Sequence, residues 1–201
     1  MRSYAFIYLL GCLSVTACVG GDEQPPPADF LAQYGIENPT PAAFVYCTEH
    51  GCQSRHILAM SPKEWRRITR QFEPVARDSE QERRQLVLAL AEYEKIGGAA
   101  TNTSEDIART SFFNTHQLDC IDETVNTMSL MMVLENEGYI RRHSLSRPVG
   151  RGKFLDWPHY AATLTDNESK EIFVIDSWFR DNGEPALAVP LTKWKSGWNP
   201  A

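Results

Sequence analysis

The chain predicts an α+β fold in which a central helix packs on an antiparallel sheet. Three observations predict it. Apolar residues recur at helical spacing through the middle of the chain. After Gly138 the pattern changes to short aromatic- and β-branched-rich stretches separated by turn residues. The stretch opening at Asp119-Cys120 is apolar on most sides, as a buried helix must be. Helices first and strands second give an α+β rather than an alternating arrangement.

Of 201 residues, 42% are hydrophobic and 23% charged, which excludes a disordered, collagen-like or multi-span membrane protein. One globular domain with a tail fits the length. The net charge of −6, from 20 basic and 26 acidic residues, argues against a general nucleic-acid binder, which needs a basic footprint.

Residues 4–17 are apolar or small, with Arg2 before them. The run has the length of a signal-peptide core and is too short to span a bilayer. It ends in Val15-Thr16-Ala17-Cys18, which resembles the lipobox of bacterial lipoproteins. That resemblance implies cleavage before Cys18, acylation of its thiol and membrane attachment through the lipid. The plain alternative is a secretory signal in which Cys18 is incidental. The organisation expected is a signal at 1–17, a lipidated N-terminus and flexible tether at 18–38, and a single domain at 39–201. The tether opens with a Gly- and Pro-rich string that has almost nothing to bury. Val19 stands where inner-membrane lipoproteins commonly carry Asp, so the expected location is the periplasmic side of the outer membrane.

Cys12 lies in the signal. Cys47 and Cys52 flank the turn-like string Thr-Glu-His-Gly, between Phe44-Val45-Tyr46 and His56-Ile57-Leu58, which read as hairpin strands. In an exported protein a disulfide is expected there. The rival is a metal clip of Cys47, His50, Cys52 and His56, at spacings too tight for the usual zinc modules. Cys120 is left alone, either a small buried hydrophobe or a nucleophile.

Ser61-Pro62-Lys63-Glu64 is a helix start with a capping box, and that helix should run to about Phe72 before Pro74. A second helix is expected over residues 79–96, with Leu86, Leu90 and Tyr93 inward, Arg83 and Arg84 solvated, and Gly97-Gly98 as C-cap. Residues 99–117 read as a loop with a short helix near 105–109. The central helix then runs from Cys120 to near Gly138, its methionines serving as core. Strands are expected over 139–145, 159–165 and 171–178, with turns at 148–152 and at Asp166-Asn167.

In this layout Cys120 heads the central helix, His159 starts a strand, and Asp176 lies near the end of the next. A helix N-terminus and a neighbouring imidazolium stabilise a thiolate. A carboxylate on the other ring nitrogen fixes the tautomer. Backbone N–H groups at the helix start can hold an oxyanion.

Asp119-Cys120-Ile121-Asp122, Pro158-His159-Tyr160-Ala161 and Phe173-Val174-Ile175-Asp176-Ser177-Trp178 together resemble the transglutaminase-like superfamily, which includes bacterial cysteine proteinases. The resemblance covers about residues 114–198. It implies a papain/transglutaminase-like core, with Cys120 as nucleophile, His159 as general base and acid, and Asp176 as the orienting carboxylate. Many bacterial members read Asp-Cys-Glu-Asp, and some use these acids for calcium. Ile121 takes the Glu position here, so the same calcium site is not implied, although Asp119 and Asp122 remain. No other cofactor is expected.

Gln117 and Asn114 are candidate oxyanion donors, with loop stabilisation the alternative for each. Trp157 and Trp178 are candidate substrate walls, with core packing the more frequent use of Trp. Asp156 is an alternative carboxylate. His50, His56, His116 and His143 read as surface or satisfied histidines, His143 on an exposed strand. The function expected is an exported, lipid-anchored cysteine peptidase or amidase working through a thioester, with a peptide or protein substrate, cell-wall peptide among the candidates. A transglutaminase uses the same triad. A binding or scaffold lipoprotein on the same fold is the non-enzymatic alternative.

Overall fold

The computed structural model describes residues 24–110, 116–152 and 158–200. The chain adopts an α+β fold. Cys12, Cys18, Asn114, Asp156 and Trp157 lie outside the described residues.

The first element, α1 (Pro27–Ala32), begins with Pro at its first turn and buries Phe30 and Leu31. Ile36 follows them into the core. These three large apolar side chains anchor residues 30–36 in the core, within the stretch 18–38 expected to be a tether.

β1 (Phe44–Thr48) and β2 (Ser54–Leu58) form the expected antiparallel hairpin, with Tyr46 opposite His56 and Thr48 opposite Ser54. Cys47 and Cys52 are disulfide-bonded, with Cα atoms 4.7 Å apart. The rival metal clip is set aside by that bond, and His56 instead meets Thr48 Oγ1 at 3.0 Å.

α2 (Pro62–Thr69) carries the expected Ser61/Glu64 capping box, and a 3₁₀ turn (Arg70–Phe72) ends it. α3 runs Ser79–Thr101, capped at its start by Asp78 and ended by Asn102 in a left-handed conformation. It passes through Gly97-Gly98 instead of stopping there. A Cβ on Gly97 would lie 2.1 Å from the Tyr46 ring. The glycine is there for close approach of β1, not for a cap. Residues 105–109 form turns, not the expected short helix.

α4 (Cys120–Asn136) is the central helix. Its buried Met128, Leu130, Met131 and Leu134 join the main core. It touches β1 and also the four-stranded sheet made by β3 (His143–Arg151), β4 (His159–Asp166), β5 (Ile172–Asp176) and β6 (Leu187–Pro190), all antiparallel and adjacent in that order. β3 starts and ends later than expected. Pro148 sits inside it, where the register shifts between Ser146 and Val149, a place at which a missing N–H is tolerated. β6 and the short α5 (Leu191–Lys195) close the fold.

His143 is buried rather than exposed. Its Nδ1 lies 2.8 Å from the buried Glu82, which also accepts from the backbone N–H groups of Arg141 and Arg142. Arg83 is not simply solvated either. It meets His143 Nε2 at 2.9 Å and lies 3.7 Å above the Phe173 ring. Arg84 remains exposed.

Candidate active site

Asp119 is the N-cap of α4. Its carboxylate accepts from the N–H groups of Ile121 (3.0 Å) and Asp122 (2.9 Å). This satisfies two otherwise orphan donors and places Cys120 at the first helical position. Its sulfur lies 3.9 Å from the Pro158 carbonyl. The backbone N–H of Tyr160 and that of Cys120 itself also act on it. The thiol is thus lodged against residues 158–160, with His159 between two of its neighbours.

Cys120 is 6% exposed. Burial pushes its thiol up to about 12, and Asp119 and Asp176 push the same way; the Tyr160 and Cys120 N–H groups pull it down. Burial opposes the stabilisation of a thiolate that the helix start provides. Desolvation outweighs it.

His159 opens β4, and β5 runs antiparallel beside it with Ala162 opposite Ile175. The adjacent strands bring His159 Nε2 to 2.8 Å from Asp176 Oδ2. The indole N–H of Trp194, from α5, donates to the same oxygen at 2.8 Å. His159 Nδ1 is buried and has no hydrogen-bond partner among the described residues. Among the described residues three rings surround the imidazole: Trp178 at 4.7 Å, Phe179 at 5.2 Å and Trp194 at 5.6 Å between centroids. Arg151 lies 4.4 Å over the Trp194 ring and donates to the carbonyls of Trp194 (2.7 Å) and Trp198 (2.6 Å), which holds α5 in place.

No family model, curated protein or solved structure matches this chain.

A neutral His159 that donates Nε2–H to Asp176 keeps its acceptor lone pair on Nδ1. Next to Asp176, Ser177 donates to Glu123 at 2.5 Å, joining the end of β5 to α4 one turn below Cys120. Burial, reinforced by Glu94 and Asp106, holds the Glu123 carboxyl well above the usual range.

Gln117 is not an available oxyanion donor. Its Nε2 donates to the Glu105 carbonyl (2.9 Å), and its Oε1 accepts from Ile107 N–H (2.9 Å) and Thr110 Oγ1 (2.9 Å). Both ends of the amide bind the preceding loop. Trp178 does reach the site, half-buried beside His159, with its indole N–H near the Thr110 carbonyl at 3.3 Å. His116 meets Asn102 Nδ2 at 3.2 Å. Among the described residues no group of acids, histidines or cysteines is arranged to hold a metal. The carboxylates of Asp119 and Asp122 accept backbone N–H bonds instead.

Sequence reasoning missed Trp194, Phe179 and the Glu123–Ser177 contact. Phe179 follows Trp178 directly and was within reach of the motif. Nothing local links Trp194 to Asp176, eighteen residues earlier.

Proposed function

We propose that this protein is a cysteine enzyme of acyl transfer, of the transglutaminase-like kind, acting as a peptidase or amidase on a peptide or protein substrate. The observation that carries this reading is the convergence at β4: the Cys120 sulfur beside Pro158, and His159 tied to Asp176 at 2.8 Å with its other ring nitrogen unpartnered among the described residues.

In this reading His159 Nδ1 takes the Cys120 proton as the sulfur attacks the acyl carbon. Burial opposes a lone thiolate, so attack and proton transfer are coupled through the imidazole. Asp176 stabilises the imidazolium and holds the ring, without taking the proton itself. The Cys120 N–H at the start of α4 supplies one donor for the tetrahedral oxyanion. The imidazolium then protonates the leaving amine, and a thioester remains on Cys120. Water, activated by the same His159, releases the acid. An amine in place of water would make the product a new amide, so transamidation uses the same groups. The lipobox-like Cys18 extends the proposal to an enzyme anchored at the cell envelope. No helix of the described residues is long and apolar enough to cross a membrane.

The burial of Cys120 favours a second reading, a binding lipoprotein with a structural thiol. Peptide-resolved alkylation of Cys120 against pH separates the two. Rapid labelling below pH 7 that vanishes in His159→Ala supports the enzyme. Slow, alkaline labelling in both proteins supports the binder. Hydrolysis of a peptide library by the parent and not by Cys120→Ala then identifies the substrate class.

A further inference from the structure

α4 is seated twice on the disulfide loop. Asp122, two residues after Cys120 and fully buried, accepts from the N–H groups of His50 (2.9 Å) and Cys52 (2.7 Å). Asn126 accepts from Cys47 N–H (2.7 Å) and donates to the Cys47 carbonyl (3.0 Å). The two side chains are four residues apart and share one helix face.

The loop's conformation aims these donors. Glu49, His50, Gly51 and Cys52 have φ of 67, 56, 69 and 58°. Successive N–H groups in such a turn form a concavity suited to an anion. Three of the four residues are not glycine, so the conformation costs energy and persists only where its surroundings hold it. The disulfide closes the loop across its ends, and Asp122 fills it. The Asp122 carboxylate also accepts from Asp119 N–H at 3.2 Å, and Asp119 caps the helix at Cys120. A continuous set of contacts thus runs from the disulfide to the first residue of α4.

We infer that Asp122 and Asn126 are positioning residues for Cys120, which reaches its reactive placement only while the Cys47–Cys52 loop is closed. The inference rests on the reading of Cys120 as a nucleophile. Opening the loop requires an external dithiol. One of its thiolates attacks a sulfur of the pair, its second thiol resolves the mixed disulfide, and it leaves oxidised. Two electrons and two protons remain on Cys47 and Cys52. The left-handed residues then relax, Asp122 loses its two loop donors, and the start of α4 loosens.

The test uses the full chain and follows Cys120 labelling by iodoacetamide against pH, resolved by peptide mass. Proteins compared are oxidised parent, dithiothreitol-reduced parent, Cys47→Ser/Cys52→Ser, Asp122→Ala, Asn126→Ala and His159→Ala, with circular dichroism confirming the fold. The expected result is His159-dependent labelling below pH 7 in the oxidised parent. In folded reduced protein and in the loop and helix variants that labelling should fall about tenfold, its pH profile moving toward that of an unassisted thiol. Faster amide exchange at Ile121 and Asp122 in reduced parent should accompany it. Where the double serine variant does not fold, Asn126→Ala, with the disulfide intact, carries the comparison. Unchanged profiles and exchange in reduced parent and Asn126→Ala, against an activated oxidised parent, overturn the inference and leave the nucleophile reading standing. An oxidised parent whose profile equals that of His159→Ala overturns both.

Discussion

His159 and Asp176 face each other across β4 and β5, with Nε2 and Oδ2 2.8 Å apart and the carboxylate 2% exposed. A buried carboxylate in this contact selects the imidazole tautomer that leaves Nδ1 as acceptor. Asp176→Asn keeps the shape but lets the amide donate, which favours the wrong tautomer. Turnover of a peptide substrate should drop by about 10³- to 10⁴-fold with the fold retained. A variant within tenfold of the parent would contradict the role.

Burial pushes the Cys120 thiol up to about 12, so the proposed mechanism has His159 take its proton as the sulfur attacks. In His159→Ala nothing is left to take the Cys120 proton. Labelling should then rise with pH without a plateau up to pH 10. In the parent it should level off near neutrality, as stopped-flow alkylation would show.

Trp194 is fully buried and donates to the same Asp176 oxygen as His159. Trp194→Phe retains a ring beside the imidazole but leaves that oxygen one donor short. Turnover should fall roughly 3- to 10-fold, with a stability loss of about 1–3 kcal/mol in urea unfolding. Stability loss with unchanged turnover would assign the indole to packing alone.

Burial of Glu94, Asp106 and Asp122, as of Glu123, makes stability depend on pH. Burial, aided by neighbouring acids, raises Glu94 to about 8 and Asp106 and Asp122 to about 7. From about pH 4 upward the unfolded chain has released protons that the folded chain keeps, so stability falls with pH. The contribution is complete below about pH 4 and lost by about pH 8. Urea midpoints should decrease from pH 5 through 7 to 8.5, and Glu94→Gln should flatten the decline. A midpoint that climbs over this range would refute the assignment.

Gly97→Ala tests the packing of α3 on β1. The added methyl meets the Tyr46 ring at 2.1 Å. A helix interior ordinarily gains about 1 kcal/mol from this change. Here a net loss of roughly 1–3 kcal/mol is expected. A stabilised variant would mean that the ring moves freely.

Local chemistry made several elements legible. Ser61, Pro62 and Glu64 carry a complete helix start within four residues, and the structure has it. Phe44–Tyr46 and His56–Leu58 alternate around a turn, and they pair. Cys120 was recognisable as the head of a helix because Asp119 and a long apolar run flank it. Other residues misled for physical reasons. Gly97-Gly98 looks like a stop, yet a ring from another element needs the space. Pro148 looks like a turn, yet a bulge accommodates it. His143 follows two arginines and looks exposed, yet Glu82, sixty-one residues earlier, draws it inside. Gln117 reads equally as an oxyanion donor or a loop brace, and residues seven to twelve upstream take both ends of its amide.

The amino-acid order by itself determined the α+β class, the hairpin with its paired cysteines and the central helix headed by Cys120. These depend on periodicity, capping and spacing, which act over a few residues. Only the tertiary structure decided that Trp194 shares the Asp176 oxygen, that burial raises the Cys120 thiol, and that Asp122 and Asn126 clasp the disulfide loop. Desolvation and long-range hydrogen bonds arise when distant segments exclude water together, and no local pattern records which segments those will be.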